Sequence, residues 1–210
     1  MEDCGGGTNH GCFADGGADN GARLADINGD GLVDVLKAKS GISRAYLNKG
    51  VGWTADPNID PSPWRIPDCV TGSDVTCFID SNGNDTGVRL ADLNGDGLTD
   101  YLKAKINSAG NGEQVVYMNN GNGWTSSTVW TIADCSGSNT RKCFVKNNGE
   151  DNGVRLAELN GDGVADIIET KESPLNQSVH MGSFLKTGLL FNINNSFGGR
   201  IFIDYNSSSF

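Results

Sequence analysis

The chain has 210 residues, room for one large domain or two small ones. Its 30 Gly are about 14% of the chain, twice the ordinary share of roughly 7%, which disfavours a helical protein and favours tight turns between short strands. With 16 basic against 26 acidic residues the net charge is −10, which argues against nucleic acid as a partner, and no stretch approaches the roughly 18 consecutive apolar residues of a membrane span.

In chain order, Met1-Glu2-Asp3 carries neither the basic nor the apolar region of an export signal. Cys4 and Cys12 follow, with Phe13 after the second. Next comes Ala22-Arg-Leu-Ala-Asp-Ile-Asn-Gly-Asp-Gly-Leu-Val-Asp34. Beyond it Leu36 and Ala38 alternate with Val35, Lys37 and Lys39, the period of a half-buried strand. Tyr46-Leu-Asn-Lys-Gly-Val-Gly-Trp53 and Trp64 complete a first unit.

The unit then recurs. Asp26, Asp92 and Glu158 stand 66 positions apart, each opening a nearly superimposable run, and Cys69 with Cys77 and Cys135 with Cys143 repeat the eight-residue step of the first pair. Tyr117-Met-Asn-Asn-Gly-Asn-Gly-Trp124 repeats the segment ending at Trp53, whereas the third unit lacks this Gly-x-Gly-Trp signature. Turn residues separate the periodic pieces, so each unit reads as about four short strands. The boundaries expected are 1–68, 69–134 and 135–186 for three units, the third incomplete, with 187–210 a C-terminal β segment.

In Asp26-x-Asn28-x-Asp30-Gly31-x-x-Asp34, oxygen donors occupy loop positions 1, 3, 5 and 9, and Gly at 6 permits a sharp reversal. With the carbonyl of Leu32 at position 7, this is how a short loop wraps a hard cation of calcium's size. The same reading gives Asp92, Asn94, Asp96, Leu98 and Asp100, then Glu158, Asn160, Asp162, Val164 and Asp166. Magnesium needs a tighter octahedron and zinc prefers Cys and His, so about three Ca²⁺ per chain are expected. Glu158 puts a longer side chain in the third loop. The competing reading is an Asx-rich turn that needs no metal, because Asn-Gly and Asp-Gly form turns unaided. An EF-hand fails in two of the three loops, since its twelfth position, normally Glu, is Lys37 and Lys103; only Glu169 fits.

These residues resemble the FG-GAP or VCBS repeat of integrin-type β-propellers. The Gly-Val-Arg-Leu-Ala-Asp-Leu-Asn-Gly-Asp-Gly run, with the later Gly-x-Gly-Trp, is more specifically similar to the propellers of bacterial Rhs and insecticidal Tc toxin proteins. The tail from Gly188 to Tyr205 resembles their transition from propeller to YD-repeat shell. The resemblance implies an all-β chain of tandem four-stranded propeller-type blades, with calcium loops between strands and a C-terminal β-hairpin. Closed propellers have 4 to 8 blades, so three units would not close a ring alone.

Six Cys allow 15 pairings, and the repeat makes Cys4–Cys12, Cys69–Cys77 and Cys135–Cys143 the economical set. Disulfides and calcium loops both point to a secreted, extracellular protein. Trp53, Trp64, Trp124 and Trp130 are expected in a blade-to-blade core, with sugar stacking as the competing role. Lys37, Lys39, Lys103 and Lys105 are expected as a basic stripe on a solvated outer strand face. Arg23, Arg89 and Arg155 are expected to pair with blade carboxylates. His10 and His180 are the only His, neither is repeated, and no nucleophile elbow or phosphate loop accompanies them, so no enzyme is expected. The function expected is a non-enzymatic structural and interaction scaffold, part of a larger Rhs/Tc-like propeller. Its partners would be other blades or protomers at exposed β edges, and glycans or cell-surface proteins. The alternatives are a self-assembling fibre or ring subunit and a glycan-binding, lectin-like propeller.

Overall fold

A computed structural model of the chain describes residues 12–55, 63–70, 73–74, 76–172, 175–182, 192–194 and 199–203. Cys4 and the tail stretches 183–191, 195–198 and 204–210 lie outside the described residues. Among the described residues every regular element is a strand.

A short hairpin, β1 (Ala14–Asp15) with β2 (Ala18–Asp19), leads into the first sheet. That sheet is β3 (Ala22–Ala25), β4 (Asp34–Lys39), β5 (Ile42–Asn48) and β6 (Trp53–Ala55), antiparallel in sequence order. The hairpin of β7 (Cys69–Val70) and β8 (Ser73–Asp74) follows. The second sheet repeats the order with β9 (Val88–Ala91), β10 (Asp100–Ile106), β11 (Gly112–Asn119) and β12 (Trp124–Ser127). The third sheet has three strands, β13 (Val154–Ala157), β14 (Asp166–Glu172) and β15 (Leu175–His180). β16 (Asn192–Asn194) pairs antiparallel with β17 (Arg200–Phe202) in the C-terminal segment.

The back of each sheet packs on the front of the next. Leu36, Ala38 and Ala45 behind the first sheet share a core with Val88 and Tyr101 on the front of the second, with Trp64, Ile66 and the Cys69–Cys77 segment wedged between. Leu102, Ala104 and Val116 behind the second meet Val154 and Ile167 of the third, with Trp130, Ile132 and the Cys135–Cys143 segment between. Both disulfides therefore sit in inter-sheet connectors. The Phe after each bridge is stitched to the preceding sheet, Phe78 N–H donating to Ala38 O and Phe144 N–H to Ala104 O, both at 3.0 Å. Trp64 and Trp130 are buried in these cores, the role expected of them.

This stacking corrects two sequence expectations. β4 and β10 are buried on both faces, not half-buried. Accordingly Lys37 and Lys103 are only 2% and 5% exposed, and Lys39 and Lys105 are partly buried, so the four do not form a solvated stripe. The alternation was real, but the second face is covered too: that of Lys103 by the preceding unit, and that of Lys37 by the segment ending at Asn20. Lys37 Nζ donates to the Asn20 carbonyl, and Lys103 Nζ pairs with Glu113 at 2.6 Å.

Each first strand is preceded by a fixed corner. Gly21, Gly87 and Gly153 have φ of 68°, 83° and 72°, and a Cβ at each would lie 2.7, 2.7 and 2.4 Å from a carbonyl of the neighbouring strand, so glycine is required. Two residues before each, Asp19, Asp85 and Asp151 pair with Arg23, Arg89 and Arg155, as expected of those arginines. Arg23 also lies over the Phe78 ring and Arg89 over Phe144, each 5.4 Å from the centroid, which couples one unit to the next.

Candidate metal centre

The three acidic loops occupy one place in the architecture, the connection from first to second strand of each sheet. The residue at position 9 begins the second strand and is fully buried in all three: Asp34, Asp100 and Asp166. Each clamps two backbone segments. Asp34 accepts from Ile27 N–H (3.2 Å) inside the loop and from Asn48 N–H (2.7 Å) at the end of the third strand. Asp100 does the same with Leu93 (2.9 Å) and Asn119 (2.7 Å), and Asp166 with Leu159 (2.8 Å) and Gly182 (2.7 Å).

The exposed part of each loop is folded by its own side chains. Asp26 accepts from Gly29 N–H (2.8 Å) and Gly31 N–H (2.7 Å) on separate oxygens, and Asp92 accepts likewise from Gly95 (2.7 Å) and Gly97 (2.8 Å). Asn28 Oδ1 takes Asp30 N–H and Asp30 Oδ1 takes Leu32 N–H, a pattern repeated by Asn94, Asp96 and Leu98 and by Asn160, Asp162 and Val164. These are Asx turns. The third loop differs where its sequence does. Glu158 gathers the N–H groups of Asn160, Gly161 and Asp162 on one oxygen, Oε1.

Burial pushes the Asp100 carboxyl up to about 7, with Asp96 and Asp92 adding to the rise and the N–H groups of Asn119 and Leu93 opposing it. Asp34 is raised too, burial first, then Asp30 and Asp26. Within each of these two loops the carboxylates thus lie near enough to disfavour one another's charge, a condition a divalent cation relieves. The donor set, all oxygen, suits a hard cation, and a carboxylate oxygen that accepts a single N–H, such as either oxygen of Asp26, keeps a second acceptor site. What the loops lack is a common focus. Among the described residues no three Asp, Glu, His or Cys side chains converge as a metal cage, because Asp26, Asp92 and Glu158 turn toward their own loop amides.

Sequence reasoning missed the partners outside the loops, Asn48 and Asn119. Their backbone N–H groups anchor the ninth-position Asp, and the Asn119 side chain donates to Ile27 O (2.7 Å) and Thr99 O (3.1 Å), tying the first loop to the second. The recurrence of Tyr46-Leu-Asn48 as Tyr117-Met-Asn119 was the available signal. The second loop meets the third loop through Ala165 N–H to Asp92 O at 2.9 Å.

The family described as the insecticide toxin TcdB middle/N-terminal region matches residues 131–210, the part that holds the third sheet. The crystal structure of TcdB2-TccC3 without its hypervariable C-terminal region is similar over 85% of this chain at 20% identity and a TM-score of 0.51. This chain spans 7% of the length of that protein. A lectin of Agrocybe aegerita, described as recognising non-reducing terminal N-acetylglucosamine, aligns with 74% of this chain and 35% of its own at 21% identity and a TM-score of 0.43. No curated protein matches the chain. The family match supports a relation of residues 131–210 to Tc toxin proteins, and the likeness to TcdB2-TccC3, at 20% identity, speaks for the fold alone.

Proposed function

We propose that the chain is a calcium-bound stack of propeller-type blades that serves as a non-enzymatic, extracellular structural and interaction scaffold within a larger Tc- or Rhs-like protein. The observation that carries this reading is threefold repetition of one loop. Three oxygen-rich turns stand at the same place in three stacked sheets, each tied by a buried Asp to the end of the third strand of its sheet. A cation held there would set the angle at which the second strand leaves the first. The match over residues 131–210, the fold likeness and the disulfides in the connectors support the same assignment.

The test is metal analysis of the purified chain together with thermal melting in calcium and in chelator. About three calcium ions per chain and a large fall in melting temperature on chelation are expected, because ion binding to the folded loops adds to folding free energy. The third loop should empty first, since Glu158 crowds three amides on one oxygen. A metal-free chain with unchanged melting would leave the loops as self-sufficient Asx turns and overturn the calcium reading.

A further inference from the structure

Glu169 plays no part in the acidic loops. It stands at the centre of β14 with its side chain 0% exposed, and its carboxylate receives four donors. Oε2 takes Arg141 Nε and Ser178 Oγ, each at 3.0 Å, while Oε1 takes Lys171 Nζ at 3.2 Å and Asn176 Nδ2 at 2.8 Å. Burial works against this charge, but Ser178, Lys171 and Arg141 together hold the carboxyl below its usual value, so it stands as a base.

Lys171 and Asn176 are directly opposite in the register of β14 and β15, and Glu169 lies two residues before Lys171, so all three belong to one face of the sheet. Opposed residues have Cβ atoms about 4.5–5.5 Å apart, within the reach of a lysine. The Lys171 ammonium also donates to the Arg141 carbonyl, and its side chain is only 16% exposed. An amine and a carboxamide thus meet on one oxygen of a buried carboxylate. The other two sheets lack this set. Lys103 and Lys37 occupy the place of Glu169, and opposite Lys105 and Lys39 stand Glu113 and Ile42, neither of them a carboxamide.

We propose that this cluster is an autocatalytic cross-linking site, in which Lys171 Nζ and Asn176 Cγ join in an isopeptide bond with Glu169 carrying the protons. The carboxylate takes a proton from the Lys171 ammonium, and the neutral amine attacks the Asn176 carboxamide carbon. The Nζ–Cγ bond forms, the Cγ–Nδ2 bond breaks, and Glu169 hands its proton to the departing nitrogen. Of the ammonium's protons one stays on the new amide and the others leave with Nδ2 as an ammonium ion, so Glu169 ends as it began and no oxidant or co-reactant enters. Placement on paired strands supplies the encounter that a free amine and a free carboxamide lack in water. The bond would staple β15 to β14 beside their connecting turn. A purely structural cluster would use the same contacts to neutralise a buried charge and would leave every covalent bond unchanged.

The test is the mass of the purified, disulfide-reduced full chain and of its tryptic peptides. The cross-linked chain is lighter than its sequence by one ammonia, and trypsin leaves residues 156–186 as one piece because Lys171 no longer presents a free amine. A succinimide at an Asn-Gly pair would lose the same mass but leave cleavage after Lys171 intact, so the peptides separate the two. Lys171→Arg, which keeps the positive charge beside Glu169, and Glu169→Gln should each restore the full mass. Full mass and ordinary cleavage after Lys171 in the unaltered chain would overturn the proposal. A bridge that persists in Glu169→Gln would overturn the role given to Glu169.

Discussion

The second and third sheets are built from nearly the same sequence and differ in what lies behind them. Leu102 and Val116, on the back of the second, are 0% and 4% exposed because the third sheet and the Cys135–Cys143 connector cover them. Their counterparts Ile168 and Val179, on the back of the third, are partly buried and 52% exposed. The same alternating pattern therefore yields a doubly covered strand in one place and a half-covered strand in the other. Burial here is a property of position in the stack, which is how repeat proteins distribute their stability between neighbours.

The sharpest way to break this comparison is to cut the same side chain from both sheets. Leu102→Ala should cost about 2–5 kcal/mol, the range for emptying a closed core. Ile168→Ala should cost about 1 kcal/mol, since a partly solvated face loses less transfer energy and leaves no sealed cavity. Chemical denaturation of the two variants measures both. Equal losses would mean that something covers the back of the third sheet.

The sequence carried the periodic parts of this arrangement plainly. The 66-residue recurrence and the Cys spacing located the three sheets and the Cys69–Cys77 and Cys135–Cys143 bridges, and the loss of the Gly-x-Gly-Trp signature coincides with a third sheet of three strands among the described residues. The Asp-x-Asn-x-Asp-Gly spacing located the loops but not how their donors are used. Side chains of this type bond local amides as readily as a cation, and spacing does not separate the two. Packing between units was hidden for a different reason. Period 2 says which residues share a face, not whether that face meets water, so Lys37 and Lys103 read as solvated although both are buried.

That buried position differs in all three units and offers the second prediction. Lys103 has Glu113 beside it, and in the third sheet the site holds Glu169, met by Arg141 (3.0 Å), Lys171 (3.2 Å), Asn176 and Ser178. Lys37 has a backbone carbonyl instead, and burial pulls its ammonium down to about 8; Lys39 and Arg23 add to the fall while Asp19 and Asp15 oppose it. Because the folded value lies below the ordinary one near 10.4, the unfolded chain binds more protons between about pH 8 and 10.5, and stability contributed by this site rises with pH across that window. Relative to Lys37→Met, the native chain should gain on the order of 3 kcal/mol at most between those limits. Melting curves of the two proteins from pH 7 to 10.5 read the difference, and parallel curves would show that Lys37 is not buried as a charge.

The smallest expected effect lies in the arginines. Arg89 pairs with Asp85 at 2.9 Å and lies over Phe144 of the following connector, with about a quarter of its side chain exposed. Arg155 pairs with Asp151 on the open side of the third sheet, and both side chains are more than half exposed. The Arg155 guanidinium holds Asp151 at about 2, so whatever the pair contributes is present above the ordinary carboxylate value and fades as pH falls from about 4 to 2. Solvent screening keeps that contribution within about 0.5 kcal/mol, whereas Arg89→Ala also loses a partly buried cation–π contact and should cost about 1–2 kcal/mol. A double-mutant cycle of Arg89 with Phe144 isolates the inter-unit share: coupling near zero would place the link between units wholly in the Phe144 backbone bond and the disulfide-bearing connector, while coupling above about 0.5 kcal/mol would make the arginine a stitch that the third unit carries without a described partner across the stack.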